Sequence, residues 1–237
     1  MREDHKLVNL DLFVDEEKWQ PVSPDSPFGP ELEWWRKGWT VIGVDEAGRG
    51  PLAGPVVAAA VAFQPDVTLE GIGDSKQLSA RIREKLETKI KKLSISHAVI
   101  EVDHNQIDKI NILQATKVAM SNAVSNVLAG LNSFDHSERK EQHVILIDGR
   151  IPFLGLGQQV NIIKGDRRSF SIGAASILAK VHRDRLMIEL DDKFPGYGFA
   201  QHKGYGTRMH VQAIRDLGYC TIHRRSFRIR ALDNELK

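Results

Sequence analysis

The stretch that most constrains this chain runs from Val41 to Phe63 and reads VIGVDEAGRGPLAGPVVAAAVAF. Its first four residues, Val41-Ile42-Gly43-Val44, form a short apolar run of the kind that makes a buried strand. The run leads into two adjacent carboxylates, Asp45 and Glu46, and then into a turn rich in glycine and proline, Ala47-Gly48-Arg49-Gly50-Pro51. A second apolar run, Val56 to Phe63, heads back into the core. The expected local structure is strand, tight turn, strand, with acid at the exit of the first strand. Successive side chains on a regular strand point to opposite faces. Neighbouring acids therefore converge only where a strand is ending, and the glycines downstream permit that departure. Two converging carboxylates repel unless one is protonated or a cation sits between them. Oxygen-rich sites of this type suit Mg2+ or Mn2+. The plainer alternative is an acidic turn facing solvent, and the flanking apolar runs argue against it.

The pattern recurs. His143-Val144-Ile145-Leu146-Ile147-Asp148-Gly149 is again an apolar run that ends in an acid and a glycine, and α/β folds place ligands at strand ends. A turn or helix-cap role is the competing reading of Asp148. Val160 to Ile163 is a further short strand, running into Lys164-Gly165-Asp166-Arg167-Arg168-Ser169 and then an amphipathic helix over Ile172 to Leu190. Asp166 stands just ahead of that helix, where it could cap it. Asp184 is the rival acid, but its place beside Arg183 and Arg185 suits an exposed ion pair. Between the two strand-and-acid segments the spacing predicts a helix over Ala80 to Leu93 capped by Ser79, a strand over His97 to Val102, and a long helix over Ile107 to Leu131. Lys76 precedes the first of these, where a phosphate could be met. Phe194 to Tyr205 is a loop rich in glycine and aromatics, and Thr207 to Leu217 a last helix with Thr207 as its cap.

Residues 1–38 read as an extension, since QPVSPDSPFGPE breaks regular structure and Trp34, Trp35 and Trp39 suit packing onto a body formed by residues 39–237. Net charge is only +2, but its distribution is lopsided. Residues 1–33 hold nine acids against three bases, while residues 201–230 hold seven bases against one acid. A basic segment suggests a polyanionic partner. The single cysteine, Cys220, fits a reducing compartment. No apolar stretch reaches membrane-spanning length, so a cytoplasmic monomer without a membrane partner is expected. Three or four carboxylates at strand and helix edges would be balanced by two divalent cations. Such a pair clamps the attacking and leaving oxygens of an in-line displacement at phosphorus. The acids and the basic segment together point toward phosphodiester hydrolysis.

The chain resembles bacterial ribonuclease HII. The matching segments are DEAGRGPLAGPVVAAAV at 45–61, GDSKQLS at 73–79, LIDG at 146–149, KGD at 164–166, AASILAKVHRDRLM at 174–187 and PGYGFAQHKGYGT at 195–207. The resemblance implies an α/β, RNase H-like fold: a central mixed sheet flanked by helices, with a C-terminal helical portion. It implies hydrolysis of the RNA strand of RNA–DNA hybrids and cleavage at single ribonucleotides in duplex DNA, leaving 3′-hydroxyl and 5′-phosphate ends, as in ribonucleotide excision repair. The family's acidic quartet maps onto Asp45, Glu46, Asp148 and Asp166, as ligands of Mn2+ or Mg2+. This selects Asp166 over Asp184, a choice that spacing could not make. The family's Gly-Arg-Gly turn, here Gly48, Arg49 and Gly50, would read the ribose 2′-hydroxyl through backbone groups. The tyrosine that packs on the adjacent deoxyribose would be Tyr205, with Tyr197 the alternative. Lys76, Lys164 and the C-terminal arginines would hold phosphates. A ribonuclease HIII, an integrase-type nuclease and a non-catalytic hybrid-binding protein are the competing readings. The GRGPLAGP turn opposes the first two, and the complete set of acids the third.

Overall fold

The structure is a computed structural model; it describes residues 29–65, 67, 69–72, 78–134, 142–152 and 154–229. Lys76 and Arg230 lie outside the described residues. In chain order the elements are α1 (Glu31–Arg36), β1 (Thr40–Ala47), β2 (Val56–Ala62), α2 (Ala80–Leu93), β3 (Ser96–Val102), α3 (His104–Phe134), β4 (His143–Asp148) and β5 (Gln158–Ile162). A 3-10 turn (Gly165–Arg167), α4 (Phe170–Lys193), α5 (Phe199–His202) and α6 (Arg208–Leu217) follow. The five strands form one mixed sheet in the order β3-β2-β1-β4-β5. β1 pairs antiparallel with β2 and parallel with β4; β2–β3 is antiparallel and β4–β5 parallel.

Both faces of the sheet are covered, which is why β2 reads as an unbroken apolar run rather than an alternating one. Ile42, Val44, Ala58, Ala60, Ile145 and Ile147 face α3. Val57, Ala59 and Val61 face α4 and α2. The small residues let helices come close. A Cβ on Gly43 would lie 2.1 Å from the Ser171 backbone, so only glycine admits the first turn of α4 onto β1 at this point.

Three segments differ in detail from the sequence reading, the first being Phe194 to Tyr205, read as a loop, which contains α5. The long helix α3 is two helices meeting at Asn111, which is left-handed (φ 65°) and whose side chain accepts from Gln114 N at 3.1 Å, capping the second segment. The N-cap of α4 is Ser169, whose hydroxyl accepts from Ile172 N at 3.1 Å; Asp166 is not the cap. The tryptophans pack as expected. Trp34 and Trp39 lie with ring centroids 5.0 Å apart, and with Trp35 they cover Val41, Val144, Leu146, Val160 and Ile172. α1 sits against β1, and its buried Glu31 accepts from Ser169 Oγ at 2.5 Å and Ser171 N at 2.8 Å.

Candidate active site

β1 and β4 are parallel neighbours, in register from Thr40–His143 to Val44–Ile147. One residue further on each strand stand Asp45 and Asp148, so adjacent strand ends bring these acids side by side. β1 does not end at the acids as the sequence suggested. It stays paired with β2 through Glu46–Ala58 and Ala47–Val57, and only its pairing with β4 stops at Val44. The alternation of faces therefore persists. Asp45 turns toward α4, where the Ser176 hydroxyl donates to it, and Glu46 falls on the opposite side. Glu46 is held there by Arg49, whose Nη1 lies 3.2 Å from Glu46 Oε1.

The three acids press on one another. Burial raises the Asp45 carboxyl well above the usual carboxylate range; the charges of Glu46 and then Asp148 push it further, against hydrogen bonds from Ser176 and the Glu46 amide. The Glu46 amide donates to Asp45 Oδ1 at 2.7 Å. Burial also raises Glu46, where Arg49 opposes the shift and Asp148 adds to it. Asp148 Oδ1 accepts from Gly165 N at 2.6 Å, which ties the end of β4 to the 3-10 turn carrying buried Asp166. Asp184 stands apart. It pairs with Lys180 at 2.7 Å and Arg83 at 3.5 Å, not with its chain neighbours Arg183 and Arg185, because adjacent helix residues do not face each other.

Among the described residues, no group of three or more His, Cys, Asp or Glu side chains is arranged to hold a metal ion as the side chains stand. Glu46 leans on Arg49 and Asp148 on the Gly165 amide, so each acid already has its own partner. The donor set nonetheless fits a hard divalent cation: all the groups are carboxylate oxygens, and Glu46 Oε2 is buried without a hydrogen-bond partner.

Beside the acids lies the turn. Gly48 is buried with φ +91°, whereas Arg49 and Gly50 are exposed. A Cβ on Gly50 would lie 3.6 Å from Tyr205 Cε1, so the Tyr205 ring borders the turn. Tyr205 is 45% exposed. Tyr197 is 7% exposed, stacks on Phe199 and donates its hydroxyl to Gly218 O at 2.9 Å, so it belongs to the core. Lys164 is exposed and left-handed (φ 54°), immediately before the 3-10 turn. The C-terminal arginines divide. Arg224 is 1% exposed and donates to backbone carbonyls, so it cannot meet a phosphate. Arg225 lies over the Tyr219 ring at 4.5 Å.

A family model, Ribonuclease HII, matches residues 42–230. The chain belongs to the ribonuclease HII family. A ribonuclease HII of Ruminiclostridium cellulolyticum is 52% identical over 187 residues, covering 79% of this chain and 69% of that protein. One from Caldicellulosiruptor bescii is 50% identical over 188 residues, covering 79% and 85%. The crystal structure of ribonuclease H2 from Pyrococcus horikoshii superposes with a TM-score of 0.64 at 26% identity, covering 79% of this chain and 93% of that one. The fold is thus the RNase H-like α/β fold, and the protein is a ribonuclease H, a hydrolase that cuts the RNA of RNA–DNA hybrids.

Sequence reasoning left out Ser176 and Arg183, which touch the candidate site, and gave Arg224 a phosphate-holding role that its burial rules out. Arginines in a charged stretch read as solvated. The one signal for Arg183 was its place in the series Ala175, Ala179, Arg183, Met187, a single helical face that is buried throughout. Nothing in the sequence around Arg224 marks it as buried.

Proposed function

We propose that this ribonuclease cleaves RNA–DNA hybrids, and duplex DNA with a single embedded ribonucleotide, by divalent-ion-assisted hydrolysis that leaves 3′-hydroxyl and 5′-phosphate ends. The observation that carries the reading is that Asp45 and Asp148 stand on neighbouring ends of two parallel strands with Glu46 next in the chain: burial and the charges of Glu46 and Asp148 raise Asp45, and burial and the charge of Asp148 raise Glu46. With Asp166 they would hold Mn2+ or Mg2+, which when bound supplies an activated water and polarises the phosphate. The chain's own residues do the rest. Ser176 and the Glu46 amide hold Asp45 in place, and the Gly165 amide holds Asp148. Gly48, Arg49 and Gly50 bring backbone groups to the ribose, whose 2′-hydroxyl distinguishes RNA from DNA. Tyr205, bordering that turn, packs on the neighbouring deoxyribose. Lys164 and Lys76 position the duplex through phosphates without reading bases.

The test is a cleavage assay on a DNA duplex containing one ribonucleotide, with Mg2+ or Mn2+. Wild type is expected to nick it and to leave the all-DNA duplex intact. Asp45→Asn and Asp148→Asn are expected to lose cleavage while still binding the hybrid. Full activity in either variant contradicts the assignment of the acids.

A further inference from the structure

Two buried guanidiniums converge on the turn, and neither has a carboxylate among the hydrogen-bond partners the structure gives it. Arg224 donates through Nε to Gly54 O at 2.9 Å, Nη1 to Arg49 O at 3.0 Å and Nη2 to Gly48 O at 2.6 Å. Arg183, on α4, donates through Nε to Pro55 O at 3.0 Å, Nη1 to Lys203 O at 3.0 Å and Nη2 to Ala53 O at 3.3 Å. Each is 1% exposed, and the two charges repel across a short gap. Burying an arginine without a carboxylate is costly. A fold that does so twice around one turn gains something specific from the geometry.

The planarity of the peptide unit says what that is. In a trans peptide the C=O of one residue and the N–H of the next point in opposite directions. Arg224 draws the carbonyls of Gly48 and Arg49 inward, so the N–H groups of Arg49 and Gly50 point outward, where both residues are exposed. Two successive amides facing the same way make a concavity for an electronegative atom. Arg183 adds the second dimension. By bridging Ala53 and Pro55 to Lys203 it fixes the gap between the turn and the loop that carries Tyr205. It also fills the space a side chain at position 48 would need: a Cβ there would lie 2.0 Å from Arg183 Nε.

We infer that Arg224 and Arg183 are positioning residues for ribose recognition: Arg224 aims the Arg49 and Gly50 amides at the substrate sugar, and Arg183 sets the distance from those amides to Tyr205. The inference rests on the proposed ribonucleotide substrate. Lysine keeps the charge but supplies a point donor in place of a planar fork, so it cannot hold carbonyls in three directions.

The experiment measures binding of the full chain, in an Asp45→Asn background, to a duplex with one ribonucleotide and to the all-DNA duplex of the same sequence. Wild-type cleavage of the first duplex is established beforehand. If wild type does not cut it, the substrate reading fails and the inference falls with it. Given cleavage, Arg224→Lys is expected to lose about tenfold of the preference for the ribonucleotide duplex, the value of one well-placed hydrogen bond. Affinity for the all-DNA duplex stays within about twofold by the same reckoning. Arg183→Lys shifts the preference in the same direction. An unchanged preference in a folded Arg224→Lys protein overturns the inference, as does an equal loss on both duplexes, which marks a scaffold and nothing more. Should the variants not fold, the Arg49 and Gly50 amide resonances of the Asp45→Asn protein decide. They shift on addition of the ribonucleotide duplex and not of the all-DNA duplex if the inference holds; no such difference overturns it.

Discussion

Asp45 and Glu46 are neighbours in sequence but are held by different parts of the molecule. Asp45 is anchored from α4 through Ser176, Glu46 from the turn through Arg49, and the charge of Asp148 bears on both. An asparagine at position 45 keeps the shape and removes the buried member of three mutually repelling acids. In EDTA the Asp45→Asn protein is therefore expected to be more stable than wild type, because burial and the neighbouring acids oppose an ionised carboxyl at this position. It is also expected to lose the stabilisation that Mn2+ would give wild type, since a ligand that binds only the folded state raises stability with the logarithm of its affinity. Thermal melts of both proteins with EDTA and with Mn2+ check this. A variant that is less stable in EDTA, or that keeps the full Mn2+ gain, contradicts the assignment. The acids were legible because an apolar run that ends in a carboxylate is rare in a solvated turn. Their division between faces was not legible, because strand pairing through Glu46 and Ala47 depends on β2, and nothing in the dipeptide reports where the partner stops.

At the scale of elements, α4 ties the site together. Its first turn lies on Gly43, Ser176 reaches Asp45, and Arg183 reaches the turn and the Tyr205 loop. Its N-terminus is locked by Glu31 from α1, buried against Ser169 and Ser171 with Oε2 lacking a hydrogen-bond partner. Burial pushes the Glu31 carboxyl up from 4.5 to about 7, against the hydrogen bonds from Ser169 and Ser171. The folded pKa is raised above the unfolded one, so the folded state holds the proton more tightly. The stability this contributes is full below about pH 4.5 and is lost as pH rises through about 7. Over that window wild type is expected to lose roughly 3 kcal/mol relative to Glu31→Gln, whose amide does not ionise. Parallel stability profiles of the two proteins between pH 5 and pH 8 would remove Glu31 from this role. The helix itself was legible from its apolar spacing. The lock was not, because an acid among the acidic residues 1–33 carries no sequence mark of burial.

For the molecule as a whole, the order of the strands was the part that sequence could not supply. The apolar runs of β1, β2 and β4 were visible, but their arrangement, with β1 between an antiparallel and a parallel partner, is decided by long-range packing of α3 and α4 on opposite faces. A net charge of only +2 would not by itself draw a duplex, so the proposed hold on phosphates rests on local groups such as Lys164 beside the 3-10 turn. Lys164 is left-handed, so alanine there would add backbone strain to any loss of charge. Asparagine tolerates that conformation, which makes Lys164→Asn the cleaner variant. An ammonium that meets a phosphate reads neither base nor sugar, so removing it weakens binding to the ribonucleotide duplex and the all-DNA duplex by the same factor. Taking away one such ammonium also lowers the salt slope of log affinity by about one, because fewer counterions are released. Titrations of Lys164→Asn over a salt series are expected to show both effects together. An unchanged slope takes Lys164 out of the phosphate track, and a weakening confined to the ribonucleotide duplex places it in sugar recognition with the turn.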